Sequence, residues 1–438
     1  MKRALAVIPL SLAATATLLY GVASLIGFVE QETSSSRPSP PPVVEEPSQP
    51  ENAIALASPS PHWNVQDPKL LALYPIAGDK AGGCCQPNLG LDDRLWGENG
   101  DKAQLLQAID YSLRYLNSEA AAKVYRDYPI AGVTQERVLR SLQRFRELLM
   151  AASSAAELQQ LVRGEFTFYQ AVGIGPVRQG EVLFTAYFEP IYQGSRTRTA
   201  EYRYPLYGRP ADLDRWQRPH PARGELEGKD GLQTHPKLQG LELFWLRDRL
   251  EAYLIHIQGS AQLQLTDGTE TSVGYAGNVR QNYTSIGKEL VEDGKLTLEE
   301  ATMPGILAYF QQYPAQMDEY VPRDRSFVFF RETGGAPATG SIGVPLTADR
   351  AIATDKSLMP PGAIALIHAP LPVVGNDGQL QEQIISRYVL DQDTGGAIQG
   401  PGRVDYFVGS GKEAGDRAGV TRHLGQMYYL LLNEPTNS

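Results

Sequence analysis

The sequence predicts a mainly β chain with a helical N-terminal part, an α+β fold built on β-barrels. Three observations carry this. From about residue 100 to 167, apolar residues recur at helical spacing. Beyond that, short β-branched and aromatic runs follow one another, bounded by Gly, Pro or Asp. Few helical stretches separate those runs, so a βαβ parallel sheet is disfavoured.

The elements follow in chain order. Lys2 and Arg3 precede a nearly continuous apolar run from Ala4 to Phe28, which reads as a secretion signal or a membrane anchor. A spanning helix needs about 20 residues, so the length favours an uncleaved anchor, with the bulk of the chain outside the cytoplasm. Residues 29–61 are rich in Pro, Ser and Glu and predict an extended linker. Cys84 and Cys85, the only cysteines, are adjacent. They exclude a disulfide framework and a cysteine-based zinc site, and form either a strained vicinal disulfide or a turn. No cysteine follows the apolar run, so a lipoprotein is not expected.

Leu105, Ile109, Leu113 and Leu116 mark a first helix. Thr134 is placed to cap a second, whose apolar face is Val138, Leu142, Phe145 and Leu149. AAELQQLVRGEF predicts a third. Strands are expected in 181–195, 251–268, 325–332, 363–374 and 403–409, with a hairpin turn at Asp267-Gly268. LELFWLRDRLEAY and YTSIGKELVEDG predict short helices within the β region.

Composition excludes several functions. The 438 residues are 42% hydrophobic and 21% charged, enough to bury a sizeable core. The formal net charge of −10, without a long basic block, argues against nucleic acid. None of the six histidines forms a close ligand pair, so no metal site is expected, nor any other cofactor. His256 reads as a hydrogen-bonded strand residue and His235 as a loop residue. There is no G-x-S-x-G elbow and no phosphate loop; Ser260 and Ser410 read most simply as turn residues.

Carboxylates remain. DQDTGGAIQGPGRVDYFVGSG (391–411) carries Asp391, Asp393 and Asp405, and Asp416 follows. Asp405 sits in a strand whose neighbours Val404 and Tyr406 point to the other face. Partial burial would raise its pKa and keep a proton available, as a general acid requires. Asp393 would approach it if the intervening segment folds back. The blander readings make Asp391 and Asp393 turn or strand-end residues and Asp416 a helix cap. With 22 Tyr and 4 Trp, aromatic faces such as Tyr187, Phe188, Tyr192 and Tyr275 suit sugar rings, though many tyrosines must be core.

Taken together, TAYFEPIYQGS, DGLQTHPKLQGLELFWL, AYLIHIQGSAQLQLTDG, VGYAGNVRQNYTSIGKEL, GSIGVPLTADRAIATDKSLMPPG and DQDTGGAIQGPGRVDYFVGSGKEAGDRAG resemble the membrane-bound lytic murein transglycosylase A family. The resemblance runs from about Glu181 to Leu432. It implies a double-psi β-barrel with a second, inserted β domain and a groove between them. The barrel would take 62–192, including the helical segment, plus 321–438, and the insert 193–320.

It further implies cleavage of the β-1,4 bond between N-acetylmuramic acid and N-acetylglucosamine, without water, leaving a 1,6-anhydro ring. Asp405 would be the acid, with Asp393 beside it. Asp416 fills the third aspartate position, and Thr185, Tyr187, Gln258 and Ser260 match the sugar groove. The implied partner is a peptidoglycan glycan strand, bound by a monomer in the periplasm or cell envelope. One carboxylate suffices when the nucleophile is the substrate's own hydroxyl. The alternatives are a hydrolase using both aspartates and a non-catalytic wall-binding barrel. Pro401-Gly402-Arg403 looks longer than in relatives and is expected to extend a turn before Asp405. Ala186 stands where the family often has glycine.

Overall fold

The computed structural model describes residues 72–76, 88–175, 178–375 and 377–434. The apolar segment 1–28, the linker 29–61 and Cys84-Cys85 lie outside the described residues. Strand β1 (Leu73–Pro75) is followed by α1 (Lys102–Leu116), α2 (Glu119–Arg126), α3 (Gln135–Ala151) and α4 (Ala155–Glu165). Side chains of Ser118, Thr134 and Ser154 cap α2, α3 and α4, each accepting from a backbone N–H three residues on. The expected apolar faces are buried, with Leu105, Ile109 and Leu116 on α1 and Val138, Leu142, Phe145 and Leu149 on α3.

Strands β2 (Phe166–Ala171) and β3 (Val182–Glu189) come next. After Pro190 the chain enters β4 (Ile191–Ser195), β5 (Tyr204–Tyr207), α5 (Arg223–Glu227), β6 (Glu242–Leu246), α6 (Arg249–Gln258), β7 (Ser260–Leu265), β8 (Glu270–Asn278), α7 (Ile286–Glu292), α8 (Met303–Gln312), α9 (Met317–Tyr320) and β9 (Val328–Glu332). The final stretch is β10 (Ala351–Ala353), β11 (Ile364–Val374), β12 (Leu380–Asp393), β13 (Arg403–Ser410), α10 (Gly411–Val420) and β14 (Arg422–Leu432).

Two sheets result. In the first, β3, β14, β11, β12, β10 and β13 form a closed ring, because β3 pairs with both β13 and β14. Two pairs in the ring are parallel, β10 with β12 and β13 with β3, as the expected double-psi barrel demands. Strands β1 and β2 extend it beyond β14. The second sheet runs β5-β6-β4-β7-β8-β9. The helical segment packs on the barrel: Gln392 Nε2 donates to Ala108 O and Ser112 Oγ, and Leu432 N donates to Ser141 Oγ.

One expected strand is a helix. LIHIQ sets His256 between apolar neighbours, as a strand would, but Asp248 accepts from the N–H groups of Leu250 and Glu251 and starts α6, in line with the helix expected through Tyr253. Gly259, at φ 80°, ends it in the left-handed conformation that glycine adopts cheaply. Only 260–265 is strand. His256 is therefore helical, and its Nδ1 accepts from Val328 N at 3.1 Å while the ring packs on Phe327 and Phe330.

The barrel and helical segment share a buried charge network. Arg350, with no exposed surface, donates to Asp92 Oδ2 at 2.6 Å, to Asp101 Oδ2 at 2.9 Å and to Tyr388 O at 2.8 Å. Next to it, Asp349 has a φ of 60°, the sole positive value among the described non-glycine residues. Its carboxylate takes Arg94 at 2.8 Å and Arg417 at 2.5 Å. Arg350→Met leaves Asp92 and Asp101 buried without their cation. The expected loss is about 3–5 kcal/mol, read as a lower urea midpoint. An unchanged midpoint would show that the network is not what holds this joint.

Candidate active site

The site forms where β10 is sandwiched between β12 and β13. Ala353 pairs with Asp393 on one side and with Asp405 on the other. The two aspartates therefore sit two strand spacings apart, about 10 Å between backbones. β12 and β13 run in opposite directions, so residues 394–402 fold the chain back, and the three-residue β10 lies between the two aspartates.

Val404 and Tyr406 are buried in the barrel core, which turns Arg403, Asp405 and Phe407 to the other face. Parallel pairing sets Thr185 beside Asp405, and the Thr185 hydroxyl donates to Asp405 Oδ1 at 2.7 Å. Two residues on, the Tyr187 hydroxyl donates to Asp393 Oδ2 at 2.9 Å, and its ring lies 5.2 Å from that of Phe407. Asp393 Oδ1 also accepts from Ser341 N and Thr394 N, each at 2.8 Å.

The two carboxyls differ in environment. Burial pushes both up from the ordinary aspartate value. Three hydrogen bonds oppose this at Asp393, helped by the Lys356 ammonium. At Asp405 the nearby Arg403 guanidinium and the Thr185 hydrogen bond oppose it, while the Asp393 charge pushes it further up. Asp393 therefore carries three hydrogen bonds where Asp405 carries one, and both stay raised by burial. Tyr283, ahead of α7, lies against Gly396 and within the field of both Asp405 and Arg403.

Gln258 and Ser260 flank Gly259 at the α6–β7 junction. Gln258 Oε1 accepts from Phe188 N at 3.0 Å, tying the insert side to β3, while Ser260 is buried and starts β7. Asp416 is not a cap. It lies within α10 and is paired with Lys412 at 2.5 Å on an exposed face, outside the hydrogen-bonded aspartate cluster. Asp391 is not a turn residue either. It is fully buried in β12, where it pairs with Lys356 and accepts from Tyr429 at 2.7 Å and Thr354 at 2.8 Å.

Arg403, Lys356 and Tyr283 are site residues that the sequence reading did not assign. Arg403 was within reach of it, being two positions from Asp405 on the same strand face. Lys356 and Tyr283 arrive from distant segments that carry no mark of their destination. Among the described residues no group of His, Cys, Asp and Glu is placed to hold a metal ion.

A barrel of this topology, interrupted by a second sheet and carrying an aspartate pair across a short central strand, matches two family models. One is the MltA specific insert domain over residues 183–331, and the other the 3D domain over 350–431. Membrane-bound lytic murein transglycosylase A of Escherichia coli K12 is 32% identical over 258 residues, covering 58% of this chain and 67% of that protein. Its namesake in Vibrio cholerae is 33% identical over 269 residues, covering 60% and 69%. Among solved structures, a membrane-bound lytic murein transglycosylase from Agrobacterium tumefaciens is similar with a TM-score of 0.61 at 28% identity, over 76% of this chain and 93% of that one. E. coli MltA with bound chitohexaose gives a TM-score of 0.58 at 26% identity, over 76% and 90%. The chain belongs to the membrane-bound lytic murein transglycosylase A family.

The raised Asp405 pKa predicts a stability effect. Its native form holds a proton more tightly than the unfolded chain, so its contribution is full below about pH 3.9 and is lost as pH rises towards the native pKa. Asp405→Asn is neutral at every pH. Its thermal midpoint is expected to gain on the parent as pH rises from about 4 to about 7. A constant difference across that range would contradict the raised pKa.

Proposed function

We propose that the chain is a lytic transglycosylase that cleaves the β-1,4 bond between N-acetylmuramic acid and N-acetylglucosamine and leaves a 1,6-anhydro end. The observation that carries this is one proton-holding carboxyl, Asp405, beside a carboxylate that is better solvated by hydrogen bonds, Asp393. Asp405 protonates the leaving glycosidic oxygen. The resulting carboxylate then takes the proton from the muramyl 6-hydroxyl as that oxygen closes on its own anomeric carbon. Ring closure within the substrate gains the advantage of a unimolecular step and needs no activated water.

Asp393 accepts from Tyr187 and two backbone N–H groups, and as a carboxylate it would favour the positive charge that develops on the sugar. Thr185 orients the Asp405 carboxyl. Gln258 and Ser260 line the groove from the insert side, and Asp416 has at most an outer role. The barrel division, residues 62–192 with 321–438 around an insert of 193–320, is part of the same reading, although the second sheet also takes in β9 (Val328–Glu332). A glycan ligand is supported by the similar structure that holds chitohexaose. Placement in the cell envelope is supported by the membrane-bound relatives; no helix among the described residues is long and apolar enough to cross a membrane.

Mass spectrometry of digested sacculi tests the product. Anhydromuramyl ends are expected, and reducing ends alone would favour the two-carboxylate hydrolase. Asp405→Asn is expected to lower kcat by roughly 10²–10⁴-fold, the usual worth of a general acid. Wild-type kcat/KM should fall as pH rises through the Asp405 pKa, since the acid must start protonated. Unchanged muropeptide release by the variant would reject the assignment.

A further inference from the structure

The insert side gathers exposed cations with no ion-pair carboxylate, although the charge of Asp214 reaches Arg280 and His220. The cations surround His220, which is buried. Arg280 N donates to His220 Nδ1 at 3.3 Å. Gln281 Nε2 donates to His220 O, and its Oε1 accepts from Arg325 Nε at 3.2 Å. Lys237 stands 4.9 Å above the Trp216 ring, which itself lies 5.7 Å from the imidazole. Arg218 is two positions before His220.

The Arg218, Lys237, Arg280 and Arg325 side chains are exposed, and among the described residues none has a carboxylate within 4.0 Å. The neighbouring Arg209 differs, being paired with Asp214 at 2.6 Å. Burial, and then the fields of Arg280 and Arg218, hold the His220 imidazole below its ordinary value against the opposing charge of Asp214. In a chain of net charge −10 this concentration of free cations is local.

Its position matters. Arg280 is three residues before Tyr283, which faces Gly396 and lies in the field of Asp405. Three extended residues span at most about 10 Å. Murein is a glycan whose muramyl residues bear peptide stems with free carboxylates. A strand placed with its bond at Asp405 would carry those carboxylates outward over the insert.

We infer that Arg218, Lys237, Arg280 and Arg325 form a docking surface for the carboxylates of the peptide stems. This rests on the murein reading above and extends it from the glycan to the peptide. Guanidinium groups suit the role, because their planar donors meet carboxylates in pairs. The surface adds preference for stem-bearing strands; binding of a stem-free glycan, as in the chitohexaose complex of the relative, does not require it.

The test is retention of full-length protein on sacculi, in the cold, in an Asp405→Asn background. Arg280→Gln with Arg325→Gln is compared with that background on three materials: intact sacculi, sacculi stripped of stems by an amidase, and sacculi freed of phosphate polymers by hydrofluoric acid. Roughly tenfold weaker retention is expected on intact and acid-treated sacculi, the effect of losing charge-assisted hydrogen bonds. No difference is expected on stripped strands. Equal retention on intact sacculi would overturn the inference. So would a deficit that persists on stripped strands, or one that vanishes after acid treatment, which would assign the patch to phosphate. Absence of retention of the background protein on all three materials would reject the murein reading itself. Muropeptide release by that protein would reject only Asp405 as the acid.

Discussion

Everything at the site depends on where a three-residue strand is pinned. β10 separates Asp393 from Asp405, and it follows directly on Asp349 and Arg350, both buried and held by several ion pairs. Arg350 is locked by Asp92 and Asp101 from the helical side, and its carbonyl accepts from Leu390 N on β12. Asp349 is held in an unfavourable backbone conformation by arginines from three separate segments, Arg94, Arg387 and Arg417. Such pairs add little net stability over an apolar core, but they are costly to break and admit few alternative geometries. Here they fix the register of β10, and register decides which side chains of β12 and β13 face each other.

The aspartate pair then works by contrast. Both carboxyls are taken out of water, yet only Asp393 receives backbone N–H groups, a phenol and the influence of a lysine. Asp405 has one hydroxyl and a guanidinium outside ion-pair distance. Asp391 is a third acid environment, where burial raises the carboxyl and Lys356, Tyr429 and Thr354 oppose it. Three aspartates within fifteen residues thus sit in three different environments, and the proposed acid role falls on Asp405.

Local signals in the sequence were legible where they were also sufficient. The helix faces of α1 and α3, the Thr134 cap, the Asp267-Gly268 hairpin and the outward turn of Asp405 needed no long-range information. The second half of α6 reads as strand because Ile255 and Ile257 favour one, while its start in LELFWLRDRLEAY reads as helix; the cap that decides the matter is one aspartate, Asp248. β12 and β14 passed unrecognised: their termini are polar or exposed, and the pairings that stabilise them join residues far apart. Asp391 and Asp416 looked alike in sequence, yet one is buried and the other exposed, because burial depends on which element covers a residue. The site aspartates were nameable from their motif, but the strand that unites them carries only Ala-Ile-Ala and no chemical signature.

The long excursion through the insert has a consequence for biosynthesis. β3 finishes at Glu189, but both of its barrel neighbours, β13 and β14, lie beyond residue 400. Until those strands emerge, Thr185 has no Asp405 to orient and the ring stays open. Pairings this distant in the chain form late and slowly. The contact between Thr185 and Asp405 is therefore among the last of the site to form, once β13 and β14 have been made.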